Sequence, residues 1–211
     1  MEIAGAYRIA ESDFVYENYN VEGFYTDSLF GFDEQFEPYL NNSIELGRSF
    51  VQPKYWGSRA LDYLWQGIGA YLSQNPHIKY MFGAVTLSGS MPKSAQELIV
   101  YYYDKYYGAN QHLLHPKNRF KCSKESQEEL GFIFNGNDAK EEFRVLKDQL
   151  AYYGTTVPTL YKQYADLCEE GGISFMGYNI DKDFENCVDS FILVEIDKIK
   201  SKKRERYIKG V

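Results

Sequence analysis

Short apolar segments alternate with amphipathic ones along the chain, and their order predicts the secondary structure. Five segments have the alternation or the continuous apolar character of strands: 2–10, 43–51, 79–88, 173–180 and 190–197. The segment 79–88 is the most continuously apolar of the first three, which is typical of a strand inside a sheet. Gly5 interrupts the first strand and indicates a bulge or a close backbone approach.

Apolar residues spaced three and four apart predict helices between these strands. The clearest case is 58–75, where the helical face is formed by Leu61, Leu64, Trp65, Ile68 and Leu72. Ser58 is the expected N-cap of this helix and Pro76 enforces its end. Further helices are expected at 92–107, 139–152 and 157–172. Strands and helices in this order predict one mixed α/β domain.

Two polar stretches lack a clean period. Residues 11–43 are too long for a plain loop in a compact domain, so we expect an ordered insertion with short helices near 27–32 and 34–40. Residues 108–140 are expected to be polar and irregular up to the start of the helix at 139–152.

The charge of the chain is unevenly distributed. The 23 Lys and Arg against 30 Asp and Glu give a net charge of -7, which argues against general nucleic-acid binding. The last residues, 198–211, carry seven cations and one Glu, so the sequence predicts an acidic domain over 1–197 followed by a basic tail. Such a tail suits an anionic partner, either a lipid headgroup or an acidic carrier protein. The alternative is a solvated terminal helix.

The cysteines and the first residues of the chain indicate the cellular compartment. Cys122, Cys168 and Cys187 form no CxxC pair, so reduced thiols are expected rather than a disulfide scaffold or a zinc site. The first residues lack the basic and apolar regions of a signal peptide, and no stretch approaches the ~20 apolar residues of a membrane span. These features predict a cytoplasmic protein, with peripheral contact at the inner membrane surface as the alternative.

The turn after the second strand is a candidate anion site. It carries Lys54, Gly57, Ser58 and Arg59 immediately before the predicted helix. A strand-turn-helix unit presents backbone N–H groups to an anion, and two cations beside a glycine would suit a phosphate. From the turn alone, an ordinary strand-helix connection is the stronger interpretation.

Two strands carry polar residues that are candidates for catalysis. In 43–51, alternation places Glu45, Gly47 and Ser49 on one face and Arg48 on the other. Gly47 or a neighbouring residue is expected to mark a splay or bulge in this strand. A Glu in a central strand can serve as a general base, and a structural ion pair is the alternative. Ser88, at the end of the third strand, is placed to protonate a leaving thiolate, and turn chemistry ahead of Pro92 is its alternative.

Taken in order, these segments resemble one known family. GAYRI, IELGRSFV, LDYLWQGIGAYL and YMFGAVTLSGS follow one another as in GNAT-superfamily acyltransferases, in particular the group that makes ornithine lipids and other N-acyl amino acids. Members of this group are often labelled "hemolysin". The later segments VPTLYKQYADL and GYNIDKDFENCVDSFILVEID resemble its last helix and strands, so the resemblance covers roughly 5–197. The ELGRS strand is also similar to that of acyl-homoserine-lactone synthases.

The resemblance implies a fold and an activity. The fold would be a GNAT-like mixed sheet flanked by helices, lacking the strands that usually precede the one matching GAYRI. The activity would be transfer of a fatty acyl group from acyl carrier protein to the α-amine of an amino acid, with no metal and no permanently bound cofactor. Glu45 would act as the base, Arg48 would position it, and Ser88 would protonate the thiolate. Backbone N–H groups near the second and third strands would stabilise the oxyanion.

The phosphate-binding turn departs from the family pattern, Gln/Arg-x-x-Gly-x-Gly/Ala. Lys54 stands first and Gly57 fits, but Arg59 occupies the last small position. This departure suits an acyl donor on a carrier protein. Its phosphopantetheine has a single phosphate, which needs fewer contacts with the turn than the pyrophosphate of coenzyme A does. A non-catalytic or truncated binding domain with an acyltransferase fold is the alternative function. A pore-forming hemolysin is disfavoured because no amphipathic insertion hairpin or secretion signal is found.

Overall fold

A mixed five-stranded sheet organises the chain, which the computed structural model describes over residues 2–111 and 113–209. The strands are β1 (Gly5–Glu11), β2 (Phe30–Phe32), β3 (Ser43–Val51), β4 (Tyr80–Leu87), β5 (Leu114–Pro116), β6 (Ile173–Asp181) and β7 (Cys187–Glu195). The α-helices are α1 (Ser12–Tyr19), α2 (Glu37–Leu40), α3 (Ala60–Gln74), α4 (Lys93–Tyr107), α5 (Lys124–Ile133), α6 (Ala139–Tyr152), α7 (Thr159–Ala165) and α8 (Ser201–Arg204).

The main sheet has the strand order β1-β3-β4-β7-β6. Strands β3 and β4 are parallel, and every other neighbouring pair in this sheet is antiparallel. The mixed sheet flanked by helices that the family resemblance implies is therefore confirmed, and the first three predicted strands are neighbours in it. Strands β2 and β5 form a separate two-stranded sheet.

The two faces of the main sheet bury different cores. One face carries Met81 and Val85 and packs against the helices, with Trp65 and Ile68 of α3 in the same cluster. The other face carries Phe82 of β4 and Phe191 of β7 and packs against the insertion in a cluster of phenylalanine rings. Successive residues of β4 point to opposite faces, so the strand is buried on both sides, as its apolar sequence predicts.

The insertion is more regular than its sequence indicates. It begins with α1, and the segment near 27–32, expected to be a short helix, is a 3-10 turn followed by strand β2. The segment near 34–40 is helical as predicted. The stretch 108–140 was expected to be irregular, which is wrong because it contains β5 and α5. Phe32 pairs with Leu114 across 82 positions, and a pairing of that range leaves no local period.

Several element ends differ from the sequence predictions, and β1, for example, begins at Gly5 and not at residue 2. Helix α3 begins at Ala60 with Arg59 at the cap position, so Ser58 is not the N-cap, although its Oγ accepts a hydrogen bond from Ala60 N at 3.2 Å. Helix α7 ends at Ala165, well short of the expected 172. Strand β7 starts at Cys187, three residues before its predicted start at 190.

The basic segment 198–209 packs against the body of the protein. After α8, residues Glu205–Lys209 form a π-helical turn that crosses α3 at Gly69, where a Cβ would lie 1.8 Å from the Tyr207 carbonyl oxygen. Lys203 and Arg206 form ion pairs with Asp166 and Asp62 of the body. Part of the positive charge of the predicted tail is therefore already paired, and residues 210 and 211 lie outside the described residues.

Candidate active site

Strands β3 and β4 separate after a short paired stretch. Their parallel register covers only Ser43–Glu45 of β3 and 80–82 of β4, beyond which no pairing is recorded among the described residues. Gly83 lies at the start of the opening, where a Cβ would come within 2.1 Å of the Leu46 carbonyl oxygen. Only a glycine allows the two backbones to approach this closely before they diverge.

A bulge bends β3 away from β4. The register between β1 and β3 shifts between Ala6 and Arg8, and opposite this shift Arg48 has a φ of 53°, in the left-handed region. A non-glycine residue there bends the strand and breaks the alternation of its side chains. The sequence expectation that Gly47 or a neighbouring residue marks a splay or bulge is confirmed.

A narrow cleft occupies the opening between the strands. Its walls come from β3, β4, α3 and α7 and include Leu46, Gly47, Leu61, Trp65, Val85 and Tyr164. The inner volume is about 40 Å³, room for a few water molecules at about 10–15 Å³ each. Most of the residues that line the cleft are apolar.

The turn Gln52–Arg59 connects β3 to α3 at one end of this cleft. Gly57 has a φ of 74° and would leave a Cβ in open space, so it is required by the turn conformation. Lys54 pairs with the exposed carboxylate of Glu2, and Arg59 reaches Asp62 at 3.5 Å. The Ser58 hydroxyl donates to the Tyr55 carbonyl at 2.6 Å. The four predicted anion-binding residues thus lie together at the start of α3, and their binding of a phosphate stays a prediction.

The carboxylate of Glu45 is fully buried and already satisfied. Its Oε1 accepts hydrogen bonds from the backbone N–H and the hydroxyl of Thr26, both at 2.8 Å. Its Oε2 accepts from the Tyr25 N–H at 3.2 Å and pairs with the Arg8 guanidinium. Glu45 therefore ties the insertion to the sheet, and its catalytic role stays a prediction.

Arg48 lies away from its expected position. The sequence placed it on the face opposite Glu45 and assigned it to hold an acidic partner such as Glu45, but Arg8 is the cation that pairs with Glu45. The guanidinium of Arg48 lies over the Tyr25 ring, 4.9 Å from its centroid, and so on the insertion side of the sheet. The bulge explains the difference, because a positive φ at Arg48 reverses the alternation from that point.

Ser88 lies in the turn after β4 and is exposed. Its hydroxyl is 2.8 Å from that of Ser90, and its carbonyl accepts from Gln96 Nε2 at 2.9 Å. Glu45 pairs with Phe82, six residues before Ser88, which is about 20 Å along a strand. The structure does not bring Ser88 and Glu45 together. The contacts of Ser88 are those of a turn before α4.

The sequence analysis missed a buried carboxylate on the same face of the sheet as Glu45. Asp189 of β7 is 1% exposed and sits opposite Thr86 of β4 and Asn179 of β6. Its Oδ1 accepts from the Thr86 hydroxyl, while Oδ2 has no hydrogen-bond partner among the described residues. Burial raises the pKa of Asp189, the Thr86 hydroxyl works against this, and the charge of Asp181 adds to it. The sequence signal was an Asp between Val188 and Ser190 in a strand whose start was predicted too late.

Tyr25 lies between the two buried carboxylates. Burial raises the pKa of its hydroxyl, and the negative charges of Asp189, Asp181 and Glu45 raise it further, while Arg48 lowers it. The Tyr25 backbone N–H contacts Glu45 and its ring lies against Arg48, and the charges of Asp189 and Asp181 act on its hydroxyl. Sequence reasoning missed it because the insertion has no period that would orient a single tyrosine.

The comparisons with known proteins point to one superfamily. A profile described as "Acetyltransferase (GNAT) domain" matches residues 1–66. The chain is 31% identical over 216 residues to a glycine N(alpha)-acyltransferase of Bacteroides thetaiotaomicron, covering 98% of this chain and 63% of that protein. It is 30% identical to a protein of the same name from Phocaeicola vulgatus, covering 99% of this chain and 66% of that protein.

A shorter match involves a different acceptor. The chain is 43% identical over 49 residues to an L-ornithine N(alpha)-acyltransferase of Brucella abortus, covering 23% of this chain and 17% of that protein. The chain spans 63% and 66% of the length of the two glycine-named relatives, slightly less than two thirds. No solved structure matches the chain. Among the described residues, no helix is both long and apolar enough to cross a membrane.

Proposed function

We propose, from the premise that this chain belongs to the GNAT superfamily of acyltransferases, that it transfers an acyl group from a thioester to the α-amine of an amino acid. The observation that carries this proposal is the opening between β3 and β4 at the start of α3. A thioester lying in that opening would have its carbonyl oxygen next to unpaired strand N–H groups, which can stabilise the oxyanion of the tetrahedral intermediate.

Glycine is the acceptor that the relatives favour. The two relatives named for glycine align over nearly the whole chain. Those named for ornithine align over 23% and 44% of it. We therefore place glycine first and ornithine second among the candidate acceptors.

The donor in this proposal is an acyl-phosphopantetheine thioester. The Lys54–Arg59 turn and the first N–H groups of α3 would hold its phosphate. Acyl carrier protein is the expected form and acyl-CoA the competing one, because Arg59 replaces the small residue that lets a pyrophosphate sit tightly. The exposed Lys202 and neighbouring cations of the basic segment would meet the acidic carrier, and contact with an anionic membrane surface is the competing use of that segment.

Glu45 in this proposal positions the site, and the geometry does not favour it as the base. Both its oxygens already accept hydrogen bonds, so a substrate proton has no free acceptor there. By tying Tyr25 and Thr26 to β3, Glu45 fixes the part of the insertion that borders the opening. Ser88 is retained as a candidate proton donor to the thiolate, and Ser88→Ala tests it by the rate of thiol release.

The experiment is thiol release by the purified chain with acyl carrier protein and CoA donors. Glycine, ornithine, alanine and serine are compared, and mass spectrometry identifies the product. We expect release that depends on the amino acid, highest with glycine, and an N-acyl amino acid of matching mass. Donor binding without transfer to any amino acid would contradict the proposal and favour a non-catalytic binding domain with an acyltransferase fold.

A further inference from the structure

A buried carboxylate with one free oxygen lies beside the proposed reaction site. Asp189 is 1% exposed, and its Oδ2 has no partner among the described residues. Leaving a buried charged group half-satisfied costs stability, so proteins rarely keep one without a use. Its neighbour across the strand, Thr86, lies one position beyond Val85 of the cleft wall. Asp189 thus lies one strand away from the opening between β3 and β4, on the face of the sheet that the insertion covers.

An exposed cation, Arg48, lies on the same side of the sheet. Arg48 forms no ion pair or hydrogen bond among the described residues, and its guanidinium is stacked on the Tyr25 ring. Arg48 follows Gly47, which lines the cleft. A planar guanidinium with free donors suits a carboxylate, which it can bind through two parallel hydrogen bonds.

We propose that Arg48 and Asp189 form the acceptor site, in which Arg48 binds the α-carboxylate of the amino acid and Asp189 binds its ammonium group. Tyr25 links the two residues, because its ring stacks against the Arg48 guanidinium and its hydroxyl feels the charge of Asp189. The inference rests on the proposed function, since it assigns the acceptor of that same transfer. The donor would enter from the α3 side of the sheet and the acceptor from the insertion side.

Asp189 would also take the proton that makes the amine nucleophilic. The ammonium gives one proton to Asp189 Oδ2, and the neutral nitrogen attacks the thioester carbonyl carbon to form the C–N bond. Collapse of the tetrahedral intermediate breaks the C–S bond. The thiolate gains a proton, for which Ser88 is the candidate donor, and the second proton of the original ammonium restores the donor. The amide keeps the third proton, and Asp189 releases the first to solvent before the next turnover. A carboxyl group with a raised pKa is better suited to this task than an ordinary aspartate.

The test combines two variants with two acceptors. Asp189→Asn keeps the size of the side chain and its contact with Thr86, and Arg48→Gln leaves a shorter polar side chain without the charge. Asp183→Asn removes an exposed carboxylate of the same hairpin and is the matched control. Acceptors are glycine and glycinamide, which retains the amine but has no carboxylate. Rates of N-acyl product formation are measured for each combination, together with donor KM and melting temperature.

We expect Asp189→Asn to lower kcat/KM at least about 10²-fold with both acceptors, because the proton acceptor is lost in both. Arg48→Gln should lower kcat/KM about 10- to 100-fold for glycine and less than about 3-fold for glycinamide. Neither variant should change donor KM, and Asp183→Asn should match the wild type. Equal effects of Arg48→Gln on the two acceptors, or full activity of folded Asp189→Asn, would overturn the inference.

A binding measurement separates this inference from the proposed function. Saturation-transfer NMR of glycine is recorded with the wild-type chain and both variants. If the wild type transfers no acyl group, the proposed function fails. Glycine binding that is present in the wild type and lost in Asp189→Asn and Arg48→Gln would then still support the acceptor site. Absence of glycine binding, or binding unchanged in both variants, would overturn it.

Discussion

Two buried carboxylates border the same side of the central sheet, and they differ in how completely their oxygens are satisfied. Glu45 on β3 accepts hydrogen bonds from Thr26 and Tyr25 and pairs with Arg8. Asp189 on β7 accepts from Thr86 alone and keeps one oxygen without a partner among the described residues. Both are almost completely buried, so burial by itself does not distinguish their roles.

The number of hydrogen-bond donors around each carboxylate does distinguish the two roles. A carboxylate with every lone pair occupied holds structure together, because any substrate proton would have to displace an existing hydrogen bond. A carboxylate with a free oxygen next to an opening can accept a proton or an ammonium group. We therefore assign Glu45 to the scaffold and Asp189 to the chemistry.

The largest stability change is expected at Glu45. Glu45→Ala leaves the Tyr25 and Thr26 N–H groups and the Arg8 guanidinium without their acceptor, and we expect a loss of about 2–4 kcal/mol in the free energy of unfolding. Glu45→Gln should lose less, since the amide oxygen still accepts. Urea unfolding followed by circular dichroism measures both. A loss below about 0.5 kcal/mol for Glu45→Ala would show that the scaffold role is wrong.

The two arginines beside these carboxylates should behave differently. Arg8→Ala removes the ion-pair partner of Glu45 and should cost about 1 kcal/mol, a modest value because the Arg8 side chain is 40% exposed. Arg48→Gln removes only an exposed contact with an aromatic ring and should change stability by less than about 1 kcal/mol. The same unfolding experiment ranks them. Greater destabilisation by Arg48→Gln would place Arg48 in the scaffold with Glu45.

Asp189→Asn is expected to leave the protein as stable as the wild type, or more stable, at pH 7. The folded protein binds the Asp189 proton more tightly than the unfolded chain does, because burial raises its pKa. Ionisation therefore costs stability as the pH rises above the ordinary aspartate value of about 4, and asparagine avoids that cost. Melting temperatures from pH 3 to pH 8 measure this. A variant advantage that grows towards low pH would contradict the raised pKa.

The smallest effects are expected on the donor side. Lys54→Ala combined with Arg59→Ala should raise donor KM a few-fold and leave the KM for glycine unchanged, since this turn lies at the α3 end of the cleft. Lys202 is exposed in the basic segment, and Lys202→Ala tests its electrostatic attraction for acyl carrier protein. Its effect should appear only with acyl carrier protein and fade as salt rises. A change in glycine KM in the Lys54 and Arg59 variant would show that donor and acceptor sites are not separate.

The sequence predicted the sheet better than the site. Alternation and helical spacing identified β3, β4 and α3, because each of these elements has a local period that burial imposes. A bulge near Gly47 was expected, but its effect on Arg48 has no local period, and the positive φ puts Arg48 on the side opposite the one expected. Asp189 was missed for a related reason, since the charge at that position made the start of β7 resemble a connecting segment. The partners of Glu45 come from β1 and the insertion, which only the folded chain brings together.

The most direct test measures activity and melting temperature together in Asp189→Asn and Glu45→Gln. Thiol release with glycine is measured at a temperature where both variants are folded, and each rate is divided by the folded fraction. The account predicts that Asp189→Asn keeps its melting temperature and loses about 10²-fold or more in kcat/KM for glycine, while Glu45→Gln melts lower and stays within about 10-fold of wild-type activity. The reverse pattern, with a stable but inactive Glu45→Gln and a fully active Asp189→Asn, would contradict it.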